Sequence, residues 1–91
     1  MTTPALPVVD RVEAAATEVI AELHRAMAKF GPFKNGHEGY AVILEEVDEL
    51  WDEIKNNKRP DHVERQRKEA IQIAAMALRF VVDLGDLEST R

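Results

Sequence analysis

Between Ala70 and Val82 the chain is apolar nearly all round. On a helix, only Gln72 and Arg79, joined by Lys68 and Asp83 at the ends, form a narrow polar stripe. A helix that is apolar on every side has to be buried on every side. A chain of 91 residues makes one domain with a small core of its own. Two other helices cannot surround this one, so the segment predicts a partner subunit.

Two more segments carry helical periodicity. Val12, Ala16, Val19, Leu23, Met27 and Phe30 recur at helical spacing, and Asp10 can cap the helix that carries them. Gly31-Pro32 is a strong stop signal. After the Gly31–Gly36 loop, a second helix is predicted from near His37 to about Asn56. Tyr40, Ile43, Val47, Leu50, Trp51 and Ile54 share one side of it. Glu38, Glu45, Glu46, Glu49, Asp52 and Glu53 share the opposite side, and Trp51 belongs by its angle to the core or a subunit interface. The Asn56–Asp61 stretch breaks the pattern. A third helix is predicted from Asp61, a possible N-cap, to Leu84, with Gly85 as its stop.

No β signal and no internal repeat intervene. The expected fold is all-α: three main helices forming an antiparallel bundle completed by oligomerisation. The single domain spans residues 1–91, with residues 1–9 as a loose N-terminal arm and 86–91 as a short C-terminal tail.

Charge and composition exclude several classes. The net charge of −5 argues against a protein that binds the phosphate backbone of a nucleic acid polymer. There is no cysteine, hence no thiolate nucleophile, disulfide or Cys-ligated zinc. His24, His37 and His62 lack zinc-ligand spacing, and no Gly-rich phosphate loop is present. The longest apolar stretch is too short to span a membrane. The N-terminus shows no signal pattern, so a soluble cytoplasmic protein is expected.

The chemistry concentrates in Glu45-Glu46-Val47-Asp48-Glu49-Leu50-Trp51-Asp52-Glu53, where six of nine residues are acidic. Like charges three or four apart on a helix cost roughly 0.2–0.5 kcal/mol per pair. A divalent cation offsets such repulsion, because hard cations take carboxylate oxygens. A solvated acidic face is the plain alternative. Glu46 and Glu49 stand about 4.5 Å apart along the helix axis and can serve one cation from one face. On the third helix, Glu69 falls in a sector with Ile73, Met76 and Phe80. A carboxylate there needs a partner. That partner is either Arg65 one turn earlier or a cation shared with Glu46 and Glu49, in the style of a bundle metal site.

Glu45-Glu46-x-x-Glu49, followed twenty residues later by Glu69-x-x-Gln72, resembles the MazG-like all-α nucleoside triphosphate pyrophosphohydrolase superfamily. Its pattern is Glu-Glu-x-x-Glu, a variable connector, then Glu-x-x-Asp. The string from His37 to Leu50 is also similar to small phage and bacterial members. The resemblance covers roughly residues 10–84. It implies a helical homodimer or tetramer that uses Mg²⁺ or Mn²⁺ to convert a (d)NTP to (d)NMP and pyrophosphate. By subfamily resemblance the substrate is a purine deoxynucleotide. Glu46, Glu49 and Glu69 match metal ligands, and Glu45 matches a carboxylate that positions or deprotonates the attacking water.

Gln72 stands where the family usually has Asp. A carboxamide oxygen still binds a hard cation but brings no charge. Gln72 is thus a weaker fourth ligand or a hydrogen-bonding group for the substrate. Lys34 and Arg79 are candidate phosphate contacts among several cations. His37 and Glu38 either serve the first turn of the second helix or meet the base or sugar. Two rival readings remain. One is a non-catalytic helical nucleotide- or protein-binding module with a weakened metal site, and the other is a purely structural acidic bundle.

Overall fold

A computed structural model describes residues 7–89. Among them are three helices and no strand: α1 (Val8–Lys29), α2 (Gly36–Lys55) and α3 (His62–Ser89). None is long and apolar enough to cross a membrane. Helix α3 packs against both α1 and α2, which do not pack against each other. The molecule measures 58 × 30 × 20 Å with a radius of gyration of 15.8 Å. A compact domain of this length has about 12 Å. The three helices therefore leave a groove between α1 and α2, floored by α3.

Local signals set most boundaries. Asn35 is the N-cap of α2: its side chain accepts from the Glu38 N–H at 2.9 Å, while Glu38 Oε1 accepts from the Lys34 N–H at 3.3 Å. This reciprocal arrangement satisfies two backbone donors that a helix start leaves free. Asp61 behaves as the N-cap of α3 through its carbonyl, which accepts from the Arg65 N–H at 3.0 Å.

Three boundaries differ from expectation. Helix α1 starts at Val8, inside the expected arm, with Pro7 before it and Asp10 in its first turn rather than at its cap. Proline suits this place because the first-turn N–H groups lack helical partners anyway. Residues 1–6 of that arm lie outside the described residues. Helix α3 runs through Gly85 to Ser89. Gly85 adopts no positive φ. Glycine inside a helix costs only about 1 kcal/mol relative to alanine, and no proline follows to enforce a stop. Residues 90 and 91 of the expected tail lie outside the described residues.

The core is small. Leu23, Phe33, Ala75, Met76 and Leu84 are its buried apolar residues, with Val19, Ala26, Val42, Ile43 and Phe80 packed partly buried around them. Phe80 fits because α2 carries Gly39 opposite it. A Cβ built at Gly39 would stand 2.6 Å from Phe80 Cδ2 and 3.1 Å from Phe33 Cδ2.

The side of α2 that meets α3 also differs from what periodicity alone predicts. Tyr40 stays 63% exposed and Trp51 55%, and Val47 and Ile54 are exposed too. Val42, Ile43 and Leu50 are half-buried, together with Glu46 and Glu53. Glu46, Glu49 and Glu53 of the acidic side turn inward, while Glu45 and Asp52 stay exposed, because the first half of α3 offers polar partners. Arg65 donates to both Glu53 oxygens, at 2.8 and 3.0 Å. The apolar stripe of α2 is left outward. Helix α3 is likewise covered on one side only, with Leu78, Val81 and Val82 exposed.

Candidate functional site

Glu46 and Glu49 on α2 and Glu69 on α3 each bring a carboxylate oxygen to one place, all within 4.8 Å of one another. The Arg65 alternative for Glu69 is not used, since both hydrogen-bonding nitrogens of Arg65 go to Glu53. Glu69 Oε2 is instead buried with no hydrogen-bond partner. A buried carboxylate oxygen without a partner is costly, so the orphan marks a place for a cation or a proton.

The electrostatics agree. Burial pushes the Glu46 carboxyl up to about 7, helped by the neighbouring charges of Glu49 and Glu69. Glu69 is raised for the same leading reason, burial, and by the neighbouring Glu49 carboxylate. Three carboxylates this close resist full ionisation. Gln72, its amide oriented by its hydrogen-bond partners, donates to Glu46 Oε2 at 3.0 Å and to Oε1 at 3.3 Å.

The donor set fits a hard divalent cation. Oxygens on opposite sides of Mg²⁺ stand about 4.2 Å apart, and around Ca²⁺ about 4.6–5.2 Å. A span of 4.8 Å therefore accepts a larger cation as it stands, and Mg²⁺ after a contraction of a few tenths of an ångström. Gln72 can then turn its amide to present oxygen instead of nitrogen.

Glu46 of the cluster, though neither Glu49 nor Glu69, lines a groove of about 640 Å³ between α1 and α2. Glu38, Glu45 and Glu46 of α2 form one wall, and Gln72, Met76 and Arg79 of α3 contribute to the floor. Ala26, Phe33, Val42 and Met76 give it apolar lining. Glu45 is exposed beside Glu46 and free to meet a ligand in the groove. Lys34 and His37 are exposed and lie outside its walls. Glu38 reaches the groove but already closes the N-terminal cap of α2.

Arg79 holds the rim. Its side chain is 3% exposed and its Nε donates to Asp83 Oδ2 at 3.0 Å. One Nη donates to both the Phe30 and Gly31 carbonyls at 2.8 Å. Asp83 Oδ2 also accepts from the Phe33 N–H at 3.0 Å. The pair thus ties the α1–α2 connector to α3, and Arg79 touches the groove as part of that tie.

Sequence reasoning did not single out Arg25 and Lys29, which line the opposite wall from α1. Their spacing of four residues, one helical turn, was the available signal. Comparison of the chain with protein-family models, with curated proteins and with solved structures found no match.

Proposed function

We propose that the protein is a metal-dependent nucleotide pyrophosphohydrolase that converts a (d)NTP to (d)NMP and pyrophosphate. The observation that carries the reading is the orphaned, buried Glu69 oxygen, grouped with Glu46 and Glu49 at the edge of a groove. The resemblance of Glu45-Glu46-x-x-Glu49 and Glu69-x-x-Gln72 to the MazG-like superfamily adds the reaction class.

Glu46, Glu49, Glu69 and the Gln72 amide would hold Mg²⁺ or Mn²⁺. The bound cation supplies Lewis-acid polarisation of phosphoryl oxygens and eases loss of a proton from water. Glu45 takes that proton. The water oxygen bonds to phosphorus as the bond to the leaving pyrophosphate breaks, and its electron pair goes to the pyrophosphate oxygen. The apolar lining of the groove takes the nucleoside, for which a purine deoxynucleoside is the first candidate.

The working unit is a homodimer or tetramer of antiparallel helix pairs. Support comes from Tyr40, Leu44, Val47, Trp51 and Ile54, all exposed on α2. Their alternating spacing of four and three residues is that of a coiled-coil seam. A cytoplasmic setting and a small nucleotide, rather than a nucleic acid polymer or membrane, complete the proposal.

A second reading rests on the Gln72–Glu46 hydrogen bond, which occupies a carboxylate otherwise available to a cation. On that reading the chain is a binding module with a weakened metal site. Pyrophosphate release from a panel of ribo- and deoxynucleoside triphosphates, with Mg²⁺, with Mn²⁺ and with chelator, tests the proposal. Metal-dependent release matched by monophosphate supports it. No release from folded protein, together with a gain on Gln72→Asp, favours the binding module.

A further inference from the structure

The groove has walls of opposite net charge. Glu38, Glu45 and Glu46 face it from α2, whereas Arg25 and Lys29 face it from the last turns of α1 beside a single acid, Glu22. Four residues apart, the two cations share one side of α1. Both are exposed, and neither pairs across the groove. Arg25 binds Glu22 on its own helix, with Nε and one Nη on the same carboxylate oxygen, leaving its other Nη outside that pair. Lys29 has its ammonium 5.6 Å from the Phe30 ring centroid. Their position is fixed, because Arg79 holds the carbonyls of Phe30 and Gly31 that follow α1.

A groove with acids on one side and cations on the other suits a ligand that is itself divided, with bound cations on one flank and anionic oxygens on the other. A metal-bound polyphosphate has that form. An isolated anion meets the acidic wall, and an isolated cation meets the basic one.

From this placement we infer that Arg25 and Lys29 are positioning residues for the polyphosphate chain, binding its non-bridging oxygens across the groove from the carboxylate cluster. The inference rests on the pyrophosphohydrolase reading and extends it to α1. Guanidinium and ammonium donors to phosphate are charge-assisted, and the Nη of Arg25 that Glu22 leaves unused is the donor available to the polyphosphate. Held this way, the polyphosphate presents its opposite flank to Glu45 and Glu46. These contacts exist in the bound substrate before reaction, so they act on binding rather than on the chemical step.

The plain alternative is that Lys29 and Arg25 merely offset the negative end of the α1 dipole. The two readings differ in what a neutral substitution changes. Arg25→Gln and Lys29→Gln keep length and remove charge at exposed positions, so the fold tolerates them. Three titrations follow for each protein by calorimetry: Mg²⁺ alone, inorganic pyrophosphate with Mg²⁺, and inorganic pyrophosphate with chelator. Triphosphate kinetics complete the set.

Unchanged Mg²⁺ binding is expected in both variants, with pyrophosphate affinity lowered about tenfold or more by each loss of a charge-assisted contact. KM rises with kcat little changed. Arg25→Lys retains most of the affinity. Wild-type pyrophosphate affinity and KM in both variants, with only a lower melting temperature, overturn the inference and leave the hydrolase reading standing. A wild-type protein that binds neither Mg²⁺ nor Mg²⁺–pyrophosphate overturns both, and the Mg²⁺-only titration shows which step failed first.

Discussion

Removing the Asp83 carboxylate exposes what holds the groove's rim. Arg79 and Asp83 are 3% and 6% exposed, so Asp83→Ala leaves a buried guanidinium without its counter-charge. It also orphans the Phe33 N–H, which donates to the same oxygen. Breaking a buried ion pair by deleting one partner costs about 3–5 kcal/mol. A domain of 91 residues has a total stability of roughly 5–14 kcal/mol. The loss is therefore a large share of the whole. Asp83→Asn keeps an acceptor for both donors and removes only charge, so it falls between wild type and Asp83→Ala. Replacing both partners, Arg79→Met with Asp83→Ala, removes the unpaired charge. The carbonyls of exposed Phe30 and Gly31 then turn to water. What remains is chiefly the Phe33 N–H, about 1–3 kcal/mol, so the double variant is more stable than Asp83→Ala alone. Urea unfolding followed by circular dichroism, at one fixed protein concentration, measures these four proteins and the Arg79→Met single variant that closes the cycle. A cost below about 1 kcal/mol for Asp83→Ala, or a double variant as costly as both single changes summed, refutes the clamp.

Three further outcomes are expected. Gly39→Ala puts a Cβ 2.6 Å from Phe80 Cδ2 and destabilises by about 1–3 kcal/mol through overpacking, and Phe80→Leu recovers part of that in a double-mutant cycle. Glu46 is raised from 4.5 to about 7, so the fold favours its protonated form. Its stabilising contribution is complete below 4.5 and is lost as pH rises through about 7. In chelator the melting temperature should fall across that window, Glu46→Gln should flatten the fall, and Mg²⁺ should restore the wild type at the alkaline end. An equal slope in wild type and variant rejects this account. Finally, Trp51→Glu places a charge in the outward stripe of α2. Sedimentation should show wild type associated and the variant shifted towards monomer, and unchanged mass for both removes the stripe from the interface.

The helices and the acidic grouping were legible in the sequence because their signals are local. Gly31-Pro32 and the Asn56–Asp61 break act within a few residues of themselves, and Glu46-x-x-Glu49 is one turn of one helix. Gly85 misled because a lone glycine lacks the force of a proline. That Glu46 and Glu49 face Glu69 was one of two expectations, but how far this leaves Tyr40, Val47, Trp51 and Ile54 exposed in the single chain was not legible from periodicity. The deciding contacts, Arg65 to Glu53 and Gln72 to Glu46, join residues on different helices. Arg79 was hidden for the same reason: its partners are backbone carbonyls 48 and 49 positions away, which no side-chain pattern records.

Gln72 fits the proposed site for an electrostatic reason. Burial, helped by the neighbouring Glu49 and Glu69 carboxylates, already pushes the Glu46 carboxyl up to about 7. Asp at position 72 adds a fourth negative charge and raises the repulsion further wherever the cation is absent. The amide instead donates to Glu46 without the cation, and after a half-turn it offers its oxygen as a ligand. The chain thereby trades cation affinity for a cluster that stays folded without one. Gln72→Asp should accordingly bind Mg²⁺ more tightly while melting at a lower temperature in chelator. Both shifts are read from one set of melts taken along a Mg²⁺ titration. Tighter binding with no loss of cation-free stability breaks the argument, because the repulsion it relies on is then too weak to matter.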